Sequence, residues 1–245
     1  MAAPSPADRP AFYALRPGGW RDFLTLLHPP YTAWHLSYVA LGAVAAPQLH
    51  GDRLAATLAA FFLGVGVCAH ALDELNGRPL GTQLSDRVLV GLSAVALAGA
   101  VAIGIADAAT VSLGLVPFIA AGGFIVVAYN LELFGGRFHS DFWFAAAWGA
   151  FPALTGYWIN ALEIRLQGVA VAAGCFMLSV AQRRLSTPVR ELRRRTVSVT
   201  GSQRLADGTT IELDAARMAA PLDGALQACA LALVLLASGL VMARL

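Results

Sequence analysis

Lysine is absent from this chain; all seventeen basic residues are arginine. That excludes a Schiff-base lysine and the lysine of a phosphate-binding P-loop. Charge of either sign is scarce, at 13% of residues, where a soluble domain carries about 25%. Cysteine is scarce too. Cys68, Cys175 and Cys229 each fall in an apolar run with no CxxC spacing, so they read as small packing residues rather than disulfide or zinc ligands. No Ser-His-Asp set, GxSxG, HExxH or GxGxxG pattern occurs, and no nucleic-acid motif accompanies the basic residues. Met1 to Pro17 holds Pro4, Pro6, Pro10 and Pro17 and lacks the apolar core of a signal peptide. Residues 1–19 are therefore expected to form a flexible arm.

What the chain has in quantity is apolar sequence. Of its 245 residues 58% are hydrophobic, and the mean hydropathy is +0.65. This composition predicts an integral membrane protein, an all-α polytopic bundle. Seven runs approach the length needed to cross hydrocarbon: Tyr31 to Ala46, Leu54 to Leu72, Val88 to Ala106, Thr110 to Tyr129, Phe142 to Ile159, Leu166 to Ala181 and Leu222 to Met242. Trp34, His35 and Tyr38 suit a membrane interface in the first run, and Trp20 to Leu27 reads as an interfacial helix with Trp20, Phe23, Leu24 and Leu27 on one side. With the N-terminus in the cytoplasm, fourteen of the seventeen arginines lie on the cytoplasmic side and Arg53, Arg165 and Arg244 outside. The positive-inside rule thus predicts seven spans, N-terminus in and C-terminus out.

That topology sets three polar segments on one face. The bundle is expected over residues 20–195, a cytoplasmic loop over 196–220 and a last span over 221–245. Within the loop, Val197 and Val199, a turn near Ala206-Asp207-Gly208, then Ile211 and Leu213 predict a small β-hairpin. Gln182 to Arg195 reads as a basic helix with Pro188 near its start.

The second run ends in the densest polar cluster, His70, Asp73 and Glu74, followed by Asn76-Gly77-Arg78-Pro79. At i, i+3 and i+4 of a helix the three share a face, a set able to hold a divalent metal; the alternative is a helix that has left the membrane with solvated ends. Arg183, Arg184, Arg190, Arg193, Arg194 and Arg195 suit a phosphate or diphosphate, or serve only orientation and anionic lipid. Tyr129 and Asn130, with the turn at Gly135-Gly136, stand on the same face, and Ser140 or Asp141 is expected to cap the next helix. In that helix Trp148-Gly149 and Pro152 suggest a kink, with Trp148, Phe151, Tyr157 and Trp158 either lining a cavity or simply packing.

Taken together, these stretches resemble the UbiA-type intramembrane prenyltransferases over about positions 25 to 195. The resemblance rests on Leu27-His28-Pro29-Pro30-Tyr31-Thr32 through Gly42 at the entry to the first helix, and on Asp73 followed by Arg78-Pro79-Leu80. Tyr129-Asn130 and Trp148-Gly149-x-x-Pro152-x-x-x-Gly156 carry the rest. It implies transfer of an isoprenoid group from a polyprenyl diphosphate to an acceptor at the cytoplasmic face, with magnesium on Asp-rich motifs. Carried over to this chain, it makes Asp73 and Glu74 the catalytic metal ligands with His70 beside them. Arg78, Tyr129, Asn130, Arg183, Arg184 and Arg190 become candidate substrate contacts. The family's first motif, Asn-Asp-x-x-Asp-x-x-x-Asp, falls on Ala69, His70, Asp73 and Gly77, so Asp73 alone is kept. Its second acid motif falls near Gln182 to Ser186, which holds Arg183 and Arg184 instead. The family's usual nine helices are reduced to about seven. The charge swap suggests arginines in place of one metal, with a single magnesium on Asp73 and Glu74. A terpene cyclase and a non-catalytic lipid-phosphate or partner-binding protein on the same scaffold are the competing readings.

Overall fold

The computed structural model describes residues 9–245. In hydrocarbon each peptide group needs an internal partner, so apolar runs fold as helices. Among the described residues a short helix, α1 (Trp20–Leu26), precedes seven long helical rods. These are α2 (Pro29–Ala45), α3 (Gly51–Leu75), α4 (Asp86–Thr110), α5 (Leu113–Asn130), α6 (residues 141–161), α7 (Leu166–Arg194) and α8 (Ala215–Met242). Four of them, α3, α4, α5 and α8, are long and apolar enough to cross a membrane. The seven expected runs are all helical, and four meet the requirements of a span.

Two rods are not regular. α3 is π-helical over Phe62–Ala69, and α6 over Ala146–Ala150. The kink expected at Trp148-Gly149 is thus a widened turn, a feature that often adjoins functional sites. α2 and α6 make the most extensive pairing in the bundle, and glycine permits it. A Cβ on Gly42 would lie 1.9 Å from the Ala153 carbonyl oxygen, and one on Gly156 would lie 2.2 Å from that of Val39. Small residues at such crossings let backbones approach closely.

Trp34, His35 and Tyr38, expected at a membrane interface, are instead buried in this crossing. Trp34 Nε1 donates to Tyr38 Oη, and His35 Nδ1 donates to the Trp148 carbonyl at 2.8 Å. Cys68 and Cys175 are buried free thiols in the core, as packing residues should be. In α1 the apolar side is outward: Trp20, Phe23 and Leu24 are exposed, while Asp22, Thr25 and Leu26 are buried.

Other expectations change in detail. The basic helix does not begin anew at Pro188; α7 runs unbroken for 29 residues through it. The hairpin is present, but its strands are β1 (Ser202–Arg204) and β2 (Thr210–Glu212), antiparallel with Gln203 opposite Ile211, and Val197 is fully exposed. The expected arm lies outside the described residues up to residue 8. From Arg9 to Gly19 it packs on the bundle, with Ala11 and Ala14 buried. Arg193 Nη1 and Arg194 Nε donate to the carbonyls of Arg9 and Pro10, both at 3.2 Å.

Candidate functional site at the polar end of the bundle

The arm, the end of α3, the α5–α6 turn and the basic end of α7 meet at one end of the bundle. They enclose a cavity of about 190 Å³. At the opposite end Arg244 donates to the carbonyls of Val44, Ala46 and Pro47, and His50 N donates to Asn160 Oδ1. A second, almost wholly apolar cavity of about 100 Å³ runs between α3, α4, α5 and α6. Val65 and Trp148 line both cavities. Both residues sit in the π-helical turns, so the irregular backbone lies where the chambers adjoin.

Of the residues singled out in the sequence, His70, Asp73, Tyr129, Asn130, Arg183 and Arg190 line the polar cavity together. Glu74, Arg78 and Arg184 do not, for three separate reasons. Glu74 is fully buried on another face of α3. Its Oε2 accepts from Leu80 N at 2.9 Å, and its Oε1 accepts from Thr82 N at 2.8 Å and Thr82 Oγ1 at 2.9 Å. It braces the loop after α3 and has no oxygen directed to a ligand. Asp22 braces the same loop from the other side, its Oδ2 accepting from Gln83 N at 3.1 Å and its Oδ1 from Gly18 N at 2.9 Å. Arg78 is tied to Asp86 and to the Leu84 carbonyl. Arg184 is exposed, because α7 turns residues 182, 183, 186, 190 and 194 inward.

Among the aromatic residues, Trp148 lines both cavities and Phe151 the apolar one, whereas Tyr157 is buried outside either and Trp158 packs against Phe118. Asp141 is not the helix cap. Ser140 Oγ accepts from Trp143 N, and Asp141 pairs with Arg183 at 2.8 Å.

The cavity is lopsided in charge. On the α7 side Arg183 lies over the Phe144 ring and holds Asp141 with its Nε. Arg190 contacts Thr187 Oγ1 at 3.1 Å and has no carboxylate partner among the described residues. Burial, then the charges of Arg183 and Arg194, pull the Arg190 pKa below its ordinary value. Asp223 also faces the cavity but is held by Arg193 at 2.5 Å.

Acceptors reach the chamber from several elements. Asp73 has no hydrogen-bond or ion-pair partner among the described residues, and the guanidinium groups of Arg194 and Arg190 are near it. Gln182, 3% exposed, leaves Oε1 unpartnered. His35, His70 and His139 each bond a backbone carbonyl through Nδ1, at 2.8, 3.1 and 3.0 Å. A carbonyl only accepts, so Nδ1 carries a proton, and in the neutral form of each ring Nε2 is the acceptor.

Sequence reasoning did not find the arm's part in the site. Tyr13 Oη is hydrogen-bonded to His28 Nδ1 at 2.8 Å, and the His28 ring stacks on His70 with centroids 4.0 Å apart. Burial raises the Tyr13 phenol well above its ordinary value. His28 is held well below 6.5 by burial, then by the charges of His70, Arg194, Arg190 and His35. His28 itself adopts the left-handed conformation just before Pro29.

The two expected magnesium ligands, Asp73 and Glu74, do not face the same space. Glu74 is committed to its loop, and among the described residues no group of three His, Cys, Asp or Glu side chains is placed to hold an ion. Among the described residues that line the chamber, Asp73 is the carboxylate without an ion-pair partner, and it faces guanidinium groups.

No protein-family model, no curated protein and no solved structure matches this chain. What the fold and the site define is a helical protein with four helices long and apolar enough to cross a membrane and an amphiphilic chamber at one end.

Proposed function

We propose that the chain is a divergent UbiA-like membrane prenyltransferase. It takes an isoprenoid diphosphate at the cytoplasmic face, with all seven rods spanning the bilayer, the N-terminus inside and the C-terminus outside. The observation that carries the reading is the shared wall at Val65 and Trp148. An amphiphile placed there has its anionic head among Arg183, Arg190 and Arg194 and its hydrocarbon tail between Phe61, Phe118 and Phe151. Planar guanidinium forks match phosphate oxygens, and the apolar groove removes the tail from water.

The chemistry follows from the two sides of the chamber. The bond between the prenyl C1 and its diphosphate oxygen breaks, and the arginines hold the charge that develops on the leaving diphosphate. The acceptor, held by Gln182 Oε1 and Asp73, forms the new bond to C1 and gives its proton to the Asp73 carboxylate. Products are the prenylated acceptor and diphosphate.

A second reading, cyclisation of the isoprenoid without an acceptor, is favoured by the aromatic rings of Phe61, Phe118, Phe151 and Trp148 along the groove, which suit a carbocation. One experiment serves both. Purified protein in lipid nanodiscs is given geranylgeranyl diphosphate with and without a membrane extract, and diphosphate release and lipid products are measured. Turnover that needs the extract and falls about 100-fold or more in D73N supports the transferase. Cyclic hydrocarbon without extract supports the cyclase. No diphosphate release under either condition refutes both.

A further inference from the structure

Resting on the diphosphate reading above, we propose that this chamber binds the diphosphate group through Arg190 and Arg194, helped by Arg183, without a divalent cation. The donor inventory leads there. Each guanidinium carries five N–H donors. Arg190 spends one nitrogen on Thr187 Oγ1, Arg194 its Nε on the Pro10 carbonyl and Arg183 its Nε on Asp141. Most of their donors remain for a ligand. All three line the cavity, and Arg190 and Arg194 lack a carboxylate partner among the described residues.

The acid side is correspondingly poor. A small hard cation sharing a diphosphate needs one or two carboxylates held towards it. Of the four carboxylates near the chamber, Glu74 is closed by three hydrogen bonds, while Asp223 and Asp141 each have one oxygen held by an arginine, Arg193 and Arg183, and Asp223 keeps a buried, unpartnered Oδ1 beside its guanidinium. Asp73 is left, with Arg190 and Arg194 as charged neighbours. A cation placed beside it meets two like charges, whereas a diphosphate meets two opposite ones. Burial first, and then the neighbouring guanidinium groups of Arg183 and Arg194, lower the Arg190 basicity, and an anion relieves that crowding. The arm closes the site. Because Pro10 and Tyr13 line the chamber and the Pro10 carbonyl holds Arg194, the head group sits between arm and bundle.

The test measures binding of inorganic pyrophosphate and of geranyl diphosphate to the purified full-length chain in detergent, with EDTA and then with excess magnesium. The expected result is equal binding under both conditions, weakened by salt. R190Q and R194Q each lose about ten-fold or more. R184Q, on the exposed side of the same helix, changes nothing. If R190Q fails to fold, R190K supplies the comparison, since it keeps the charge but not the fork. Binding that appears only with magnesium overturns the inference and leaves the diphosphate reading standing. Binding that R190Q and R194Q leave unchanged overturns it as well. No binding of either compound in either condition overturns both.

Discussion

Replacing Glu74 by glutamine and Asp73 by asparagine makes two nearly isosteric changes at adjacent positions, with opposite expected consequences. In E74Q the side-chain oxygen keeps the two Thr82 donors, while the new NH2 faces Leu80 N donor to donor. One bond to a charged acceptor is lost and one buried donor is stranded, a cost of about 1–3 kcal/mol. E74A strands Leu80 N, Thr82 N and Thr82 Oγ1 together, for about 3–5 kcal/mol after the loop relaxes. Asp73 has no partner to lose, so D73N stays within about 0.5 kcal/mol of the parent while, on the proposed transferase reading, it loses turnover. Thermal unfolding in detergent, followed by tryptophan fluorescence, reads these as shifts of about 2–4 °C per kcal/mol for a chain of this size. The reasoning is refuted if D73N lowers the melting temperature as much as E74Q, or if E74A melts with the parent protein.

Two further outcomes follow from the packing and from the arm. G42A and G156A each push a methyl group into carbonyl backbone, at 1.9 and 2.2 Å, and each should cost about 1–3 kcal/mol or more. Because one separation of α2 from α6 relieves both clashes, the double variant should melt well above the sum of the two losses, and strict additivity would argue against a shared crossing. Acid should also weaken the fold. His28 is held below its unfolded pKa, so the unfolded chain takes a proton that the folded one refuses. Stability contributed by the neutral ring is complete above pH 6.5 and declines below it, by up to about 1.4 kcal/mol per pH unit. H28N, which tolerates the left-handed backbone there, should flatten the pH 5.5–7.5 melting profile relative to the parent. An unchanged slope would show that His28 is not the group responsible.

Much of the frame was legible in composition and periodicity, because an apolar run in lipid has so few solutions. Seven runs predicted seven helices, and the turn at Asp207-Gly208 predicted the hairpin. The i, i+3, i+4 rule correctly placed His70 and Asp73 on one face, yet it failed for Glu74. Adjacent helical positions point about 100° apart, and the loop returning after Gly77 offered its amides to the nearer acid. Arg183 and Arg184 are equivalent in sequence; the phase of α7 against the bundle sends one into the chamber and the other to the surface. The resemblance to the prenyltransferases drew attention to the acid cluster. It gave no site role to Tyr13, His28, His35 or Gln182, since no local pattern tells a proline-rich arm to lie across a cavity.

Sequence alone thus determined the helices, their order and the polar segments available at each end, since these depend on local hydrophobicity and short-range spacing. Tertiary structure decided which polar groups remain available to a ligand. Glu74 and Arg78 are consumed by partners brought to them by the fold and Asp223 is paired with Arg193, while Asp73, Arg190 and Arg194 are left facing one chamber without a counter-ion of their own. A side chain's chemistry is set by its residue type, but its availability is set by neighbours distant in sequence, and only packing of the rods supplies those.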